Sequence, residues 1–481
     1  MLARAITHAL VGLEPRRVDV EVHIDNGIPG FAIVGLVDRA VQEAKHRIRS
    51  GIASSELEFP NRRITVNLAP AQLRKEGSSF DLPIALAILA AWRQFPPERL
   101  DEHAAVGELG LDGRLRRVGG VLAVAEAATR AAIDRLICPV DSAAEAALAR
   151  VEPVPARHLA EAVAYLRGET KLEWVGSNGH VPEARLPDLA DVRGHERARR
   201  ALEIAAAGRH NLLLAGPPGT GKTMLARRLP GVLPPLEPHE ALEVTRIHSV
   251  AGLVSAERPL ITRPPFRAPH HSASTAAIVG GGPGPRPGEA TLAHRGVLLL
   301  DELPEFQRPA LGALRQPLED GVVAIARAAG AAVFPARFQV VGTMNLCACG
   351  ARGDPGAECS CSPQRIASFR DKLSRALLDR FDLVLTVPRP RAVELAGAGG
   401  EASDPVRARV VAARPHAPAP RTAAADELLS RAVDRLPLSA RGRARVARVA
   451  RTIAALAGAD AVEPEHVAEA LSYRSPRELD R

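Results

Sequence analysis

Lysine, aromatic residues, cysteine and long apolar runs are all in short supply in this chain of 481 residues. Five residues (Lys45, Lys75, Lys171, Lys222 and Lys372) are the only lysines among 63 basic side chains, so arginine carries nearly all the positive charge. Aromatics make up 3% of the sequence, which leaves the cores to be built from Ala, Leu and Val. No apolar run reaches the length of about 18 residues that a membrane-spanning helix needs, and Met1-Leu2-Ala3-Arg4 leads into no signal-type apolar stretch. A cytoplasmic protein with no membrane partner is expected. Five cysteines, four of them crowded between 347 and 361, exclude a disulfide framework and point instead to a local metal cluster. No segment recurs at a period of about 20–50 residues, which excludes a solenoid or propeller.

What is present is the composition of a multidomain globular chain: 46% hydrophobic, 25% charged, and too long for one core. Residues 1–170 alternate short apolar runs (18–24, 31–34, 63–68) with helical patterns (38–50, 82–92, 122–132), which reads as an α/β or α+β domain. Between 173 and 187 periodicity is lost and turn formers gather, so a linker is placed at 171–190. A helical pattern at 196–207 and a buried-strand run at 212–215 open a second domain, 191–390. Residues 391–425 are rich in Gly, Ala and Pro and suit a flexible, exposed connection. The remainder, 426–481, has apolar residues at helical spacing (Leu428, Val433, Leu436; Val446, Val449, Ile453, Leu456; Val467, Leu471) and reads as a small helical domain.

A formal charge of +8 and a pI near 9.7 fit a polyanion partner, because arginine clusters bind phosphate backbones by releasing counterions. An arginine-rich bias in a chain also rich in Ala, Gly and Pro is equally what a skewed codon composition produces, so charge alone leaves the partner open.

The sharpest signal is Gly216-Pro217-Pro218-Gly219-Thr220-Gly221-Lys222-Thr223-Met224, which fits G-x-x-x-x-G-K-[ST] and lies between a strand run and a helical run. Its glycines let the backbone curl so that N–H groups and the following helix terminus face the phosphates of ATP. Lys222 reaches the outer phosphates and Thr223 offers its hydroxyl to Mg²⁺. Downstream, residues 296–300 form an apolar strand ending in Asp301 and Glu302. Beside the phosphate loop, Asp301 would hold the magnesium through water and Glu302 would activate the attacking water. Asn345, after the apolar run 338–341, is placed to position that water. Arg380, in Leu378-Asp379-Arg380-Phe381-Asp382, is a candidate arginine finger entering a neighbouring subunit's site, or else a surface ion pair with Asp379 or Asp382. A finger in trans requires a closed oligomer.

Cys347-Ala348-Cys349 and Cys359-Ser360-Cys361 supply four soft ligands able to surround one tetrahedral Zn²⁺, or a loop of reduced thiols. Cys138 reads as a buried strand residue. His270 and His271 are adjacent and would diverge rather than share a metal; loop or nucleic-acid backbone roles are preferred.

These motifs carry a resemblance. With Val34-Gly35-Leu36, Asn67-Leu68-Ala69-Pro70, Lys75-Glu76-Gly77, Ala207-Gly208-Arg209-His210-Asn211, residues 265–272, Asp301-Glu302-Leu303-Pro304-Glu305-Phe306 and Ala450-Arg451-Thr452-Ile453-Ala454, the chain resembles the ComM/YifB family of magnesium-chelatase-like AAA+ ATPases over nearly its whole length. The resemblance implies a multidomain α/β fold: a Lon-protease-like α+β domain, an AAA+ P-loop NTPase core with a parallel sheet and a helix-2 insert, and a C-terminal helical lid. It also implies a hexamer acting on single-stranded or branched DNA, with ATP-dependent branch migration in natural transformation or recombination. The alternative is a chelatase-type chaperone that remodels a protein partner. By the same resemblance Arg441 matches the lid's sensor arginine. Arg445, Arg448 and Arg451 share its helical stripe and read as a solvated basic face. DNA contacts are expected from Arg267 in the insert and from Arg327, near the tip of a hairpin formed by the two short strands within 321–338. In the Lon-like domain Ser79 falls where a protease serine would lie. No lysine follows Gly119-Gly120 to activate it, so peptidase activity is not expected.

Overall fold

The computed structural model describes residues 1–176, 185–282, 285–327, 330–397, 399–414, 420–436 and 438–474. In the first domain, strands β1 (Leu2–Val11), β2 (Glu14–Asp25), β3 (Gly30–Val34), β4 (Arg63–Ala69), β5 (His103–Ala105), β6 (Arg135–Pro139) and β7 (Glu152–Ala156) form one mixed sheet, order β3-β4-β2-β1-β5-β6-β7. Alternation sets the faces. Val18, Val20, Val22 and Ile24 of β2 all point into the core while the residues between them reach outward. Helix α1 (Arg39–Ser54) is capped by Asp38, whose carboxylate accepts from the Val41 N–H. Helix α2 (Asp81–Ala91) is buried on every side, which its unbroken apolar sequence permits. Its lone carboxylate, Asp81, is gripped by Arg47 through two bonds of 2.6 and 2.9 Å. Cys138 is a buried residue of β6, as its flanking sequence suggests, and burial raises its thiol to about 12.

The second domain is a parallel sheet of short apolar strands: β8 (Leu212–Ala215), β9 (Phe266–Arg267), β10 (Val297–Leu300), β13 (Gln339–Met344) and β14 (Leu383–Thr386), ordered β9-β10-β13-β8-β14. Leu212 pairs with Val341 on one side and Leu383 on the other, and both faces are covered. Leu212 and Leu214 join one core cluster, Leu213 and Ala215 another, as continuous apolar runs in a buried parallel sheet require. Helix α4 (Glu196–Gly208) precedes β8, α5 (Lys222–Ala226) follows it, and α6 (Pro238–Val250) lies beyond. Between β10 and β13 the antiparallel pair β11 (Val322–Arg327) and β12 (Gly330–Pro335) forms the expected hairpin.

The first domain docks on α6 and on the hairpin. Helix α3 (Val121–Arg130) begins where the Gly120 N–H donates to Ser249 O at 2.9 Å, and Arg246 meets Glu126 at 3.3 Å. The β1–β2 turn places Gly12, at φ +63°, against Ala332 and Phe334 of β12, and buries Leu13 in the second domain's core. A side chain at 12 would collide with the hairpin.

Residues 391–425 differ from the expected flexible connection. Helix α8 (Ser403–Ala413) buries Ser403, Val406, Val410 and Ala413 against α4, a spacing of three and four residues made of side chains too small to stand out in an Ala-rich segment. The expected linker also ends early: Leu189 is buried, and its N–H donates to Ser403 Oγ at 2.8 Å. Residues 177–184 of that linker lie outside the described residues. Helices α9 (Ala423–Arg435), α10 (Ala440–Leu456) and α11 (Pro464–Ser472) complete the helical domain. In α10 the predicted Val446, Val449 and Ile453 do face the core. In α9 the buried stripe is Ala425, Leu429 and Ala432, while Leu436 of the predicted set is exposed.

Candidate active site

Strand β8 runs out at Ala215 and the chain turns sharply at Gly216, whose φ of +154° and close approach to the Val387 carbonyl leave no room for a side chain. The loop 216–221 then wraps around the Lys222 ammonium. Lys222 Nζ donates to Gly216 O at 2.8 Å, to Pro217 O at 2.6 Å and to Asn345 Oδ1 at 3.2 Å. Thr220 Oγ1 donates to Pro217 O, which stiffens the loop, and Met224 packs its methyl against Gly221. Burial lowers the Lys222 ammonium to about 8, opposed by the nearby Asp301 and Glu302 carboxylates.

At the carboxyl edge of the neighbouring strands stands the second half. Asp301 Oδ1 accepts from Thr223 Oγ1 at 2.8 Å and from Thr343 Oγ1 at 2.6 Å, which ties the loop to β10 and β13. Glu302 has a left-handed backbone, φ +55°, and its N–H donates to Thr343 Oγ1 at 3.0 Å. Its carboxylate is largely exposed, 3.8 Å from the His271 imidazole. So Lys222, Thr223, Asp301, Glu302 and Asn345, far apart in sequence, meet at one edge of the sheet. A hydroxyl beside a held carboxylate suits a divalent cation, and a free carboxylate beside it suits proton abstraction from water.

Arg380 and Arg441 lie elsewhere. Arg380 pairs with Glu319 rather than with Asp379 or Asp382, and Arg441 reaches the same Glu319 at 3.7 Å. Burial, then the charges of Arg441 and Arg315, lower the Arg380 guanidinium below its ordinary range. Both arginines line a cavity of about 1010 Å³ together with Asn211, Gly296, Gln339 and Asp382, the residues that lead into β8, β10, β13 and β14. The cavity therefore opens at the amino edge of the parallel sheet, opposite the phosphate loop. Nine arginines line it against four carboxylates. Arg380 Nε, Arg414 Nε and Arg445 Nη1 are buried with no hydrogen-bond partner among the described residues. Arg448 meets Asp382 at 2.7 Å and Arg445 meets it at 3.9 Å; Arg445 is a largely buried part of the cavity wall and not of the solvated face expected of it, while Arg448, 53% exposed, remains solvated at the cavity's rim.

The four clustered cysteines converge. Cys347 and Cys349 Sγ are 3.3 Å apart, Cys349 and Cys359 3.7 Å, Cys359 and Cys347 3.6 Å, and all four sulfurs lie within 4.8 Å of one another. A zinc ion about 2.3 Å from each of four tetrahedral sulfurs separates them by roughly 3.8 Å, so the group fits a Zn²⁺ site. The Cys349 thiol is drawn down to about 6, first by the Ala351 N–H and then by the neighbouring sulfurs, while Cys359, drawn down by the Cys361 N–H but pushed up by burial and by the Cys347 and Cys349 sulfurs, rises to about 11, so the two thiols share their proton unequally.

Three family models match: magnesium chelatase, subunit ChlI, over residues 188–395; subunit ChlI of Mg-chelatase over 20–142; and magnesium chelatase, subunit ChlI C-terminal, over 407–474. The chain is 45% identical to an uncharacterised protein of Mycobacterium tuberculosis across 98% of both chains. It is 43% identical to YifB of Escherichia coli (98% of this chain, 96% of that one) and 42% identical to the competence protein ComM of Haemophilus influenzae (98% and 97%). The chain belongs to the ComM/YifB family of magnesium-chelatase-like AAA+ ATPases.

A ComM/YifB ATPase takes ATP and Mg²⁺, and one part of this site escaped the sequence reading. A cavity of about 760 Å³ lined by His195, Thr386, Val387 and Pro390 adjoins the loop, with Val387 against Gly216 and His195 Nε2 near Gly221. The signal available was Gly194-His195 just before α4, too short to single out. Arg267 is paired bidentately with Glu289 at 2.6 and 2.7 Å through Nε and Nη2, an ion pair that braces the insert. Arg327 ends β11, paired with Gly330; its side chain lies outside the described residues. Lys75 Nζ, the lysine nearest Ser79 in sequence, donates to Pro70 O, and α3, which follows Gly119-Gly120, contains none.

The Lys222 environment gives a pH expectation. A pKa lowered to about 8 means that the loop loses its charge as pH rises through 8, while bound phosphate favours the charged form. Affinity for ADP should therefore weaken by up to about tenfold per pH unit above 8. The slope should flatten in Lys222→Gln; calorimetric titrations at pH 7, 8 and 9 check both.

Proposed function

We infer that this ComM/YifB-family ATPase is a Mg-ATP-driven motor on single-stranded or branched DNA, assembled as a closed homo-oligomeric ring, a hexamer by resemblance, and active in branch migration during natural transformation or recombination. The observation that carries the ring is the separation of the two halves of the chemistry. Lys222, Asp301 and Glu302 stand at the carboxyl edge of a sheet whose four-residue strands span about 13 Å, and Arg380 and Arg441 are anchored to Glu319 at its amino edge. One chain cannot bring them together, so each site is completed by the arginines of a neighbour, in roles matching an arginine finger and a lid sensor. Asp301 and Thr223 hold Mg²⁺, Glu302 is the base, Asn345 orients the water, and Zn²⁺ occupies the four cysteines. Kinship with a protein named for competence supports DNA as the partner.

A four-way-junction assay tests this reading. ATP-dependent strand movement, lost in Glu302→Gln, supports it. ATP turnover stimulated by a protein partner, with no strand movement, gives the site to a remodelling chaperone instead.

The β11–β12 hairpin is the proposed grip on DNA, pointing into the ring's pore and braced from behind by Gly12 and Leu13. Arg327→Ala should lower DNA-stimulated ATP turnover across all sequences and reduce the salt slope of DNA binding by about one phosphate contact. An unchanged slope, read by fluorescence anisotropy across a salt series, removes the hairpin from the interface.

A further inference from the structure

The four-cysteine loop sits where it can act on the nucleotide site. Strand β13 ends at Met344; the next residue, Asn345, accepts from the Lys222 ammonium, and two residues later Cys347 is buried at the start of the loop. The loop then turns through Gly350, whose N–H donates to Cys347 O and whose left-handed backbone, φ +83°, faces Pro218 of the phosphate loop so closely that a Cβ there would lie 3.1 Å from the proline ring. Asp354, with its carboxylate almost wholly buried, pairs with Arg389 at 3.1 Å, just past the Val387 that covers Gly216. The returning pair, Cys359 and Cys361, leads straight into helix α7 (Pro363–Arg370), capped by Ser362. That helix buries Phe369 in the core eleven residues before Arg380. The loop thus touches the ends of three strands at the site: β13 through Asn345, β8 through Pro218, β14 through Arg389.

In this path the sulfurs hold the fold-back together. Among the described residues, the loop 347–361 buries only Cys347 and Gly350. Holding so polar a loop in one conformation costs chain entropy that its own packing offsets little. A tetrahedral metal at the four thiolates would supply that order outright, as metal binding does in small closed sites.

The geometry points to a metal-dependent latch: Zn²⁺ held by Cys347, Cys349, Cys359 and Cys361 fixes the loop that presses Asn345 and Gly350 onto the phosphate loop, so that metal and nucleotide occupancy stabilise each other. This rests on the ATPase reading of the site and adds to it a regulator that no side chain of the nucleotide machinery supplies. Linkage makes the effect reciprocal. Whatever factor the metal adds to nucleotide affinity, nucleotide must add to metal affinity, and couplings between sites of this kind are typically about 5- to 150-fold.

The test uses the full-length chain carrying Glu302→Gln, so that ATP is bound without being consumed. Zinc content is measured first, then the Kd for ATP in magnesium with zinc bound, after stripping with a zinc-selective chelator, and after re-addition. In parallel, the rate of zinc transfer to a chromophoric chelator is followed with and without ATP. The expected results are a Kd that rises at least fivefold on stripping and returns on re-addition, and zinc release slowed by ATP. Release should be indifferent to ATP when Lys222→Ala is added. Cys359→Ser/Cys361→Ser, which leaves buried Cys347 in place, should reproduce the weaker Kd in a chain whose circular dichroism is unchanged. Less than one zinc per two chains with every thiol titratable, or equal Kd values with and without zinc, overturns the latch and leaves the nucleotide site standing. Failure of the zinc-loaded chain to bind ATP at all overturns the ATPase reading beneath it.

Discussion

Glu302→Gln is expected to bind ATP with the affinity of the native chain and to hydrolyse it about 10²–10⁴-fold more slowly. The two carboxylates that end β10 are chemically unequal. Asp301 is fixed through one oxygen, Oδ1, by the hydroxyls of Thr223 and Thr343, which suits it to hold a cation in place beside Thr223. Glu302 is offset by its left-handed backbone, a conformation that costs a non-glycine residue of order 1–3 kcal/mol, and it leaves its side chain 63% exposed. A carboxylate with spare lone pairs, beside a held cation and across from the phosphate loop, is the one that can take a proton from water. The amide of glutamine keeps the size and loses the basicity, so binding and turnover should separate. Single-turnover hydrolysis and a fluorescent-nucleotide Kd, measured on one preparation, distinguish the two. Turnover within tenfold of native would move the base elsewhere.

The parts of the site visible in the sequence were those held by backbone geometry. Gly216, Gly221 and Lys222 stand out because few residue types can make a loop that curls around phosphate. The apolar run ending in Asp301-Glu302 is legible because a parallel strand buried on both faces must be continuous. The hairpin at 322–335 could be read from two short strands around a small-residue turn. What stayed hidden depends on packing between distant segments. Arg267 looked like a free cation because Glu289, 22 residues on, gave no sign of turning back to it. Arg445 looked like part of a solvated stripe because its partner, Asp382, lies on another element. Helix α8 was lost in its own composition. With Ser403, Val406, Val410 and Ala413 as its buried face, its amphipathic contrast is almost nil, and it becomes a packed element through α4, the short helix at Leu229–Val232 and α10. The edge on which Arg380 sits was also beyond reach, since it follows from the order β9-β10-β13-β8-β14 and not from any motif.

That edge makes the second large prediction decisive. Arg380→Ala should lower ATP turnover by about 10³–10⁵-fold, the range by which an arginine finger accelerates phosphoryl transfer. Its folding cost should be small, because Glu319 keeps Arg441 as a partner. A loss of that size alone does not say whose site the arginine serves. Mixing does. In a ring built from equal amounts of Arg380→Ala and Glu302→Gln chains, an Arg380→Ala subunit has a whole phosphate loop and base. It gains a whole arginine whenever its neighbour is a Glu302→Gln chain, so roughly a quarter of the interfaces are complete in a closed heterologous ring. Two preparations that are nearly inactive apart should therefore recover turnover toward that fraction when they are mixed under conditions that let subunits exchange. An arginine acting on its own chain's nucleotide predicts no recovery at any ratio, because every subunit then carries one broken half of its own site. Turnover plotted against mixing ratio should peak near equal amounts and fall to zero at both ends, a shape that only completion of one chain's site by another can produce.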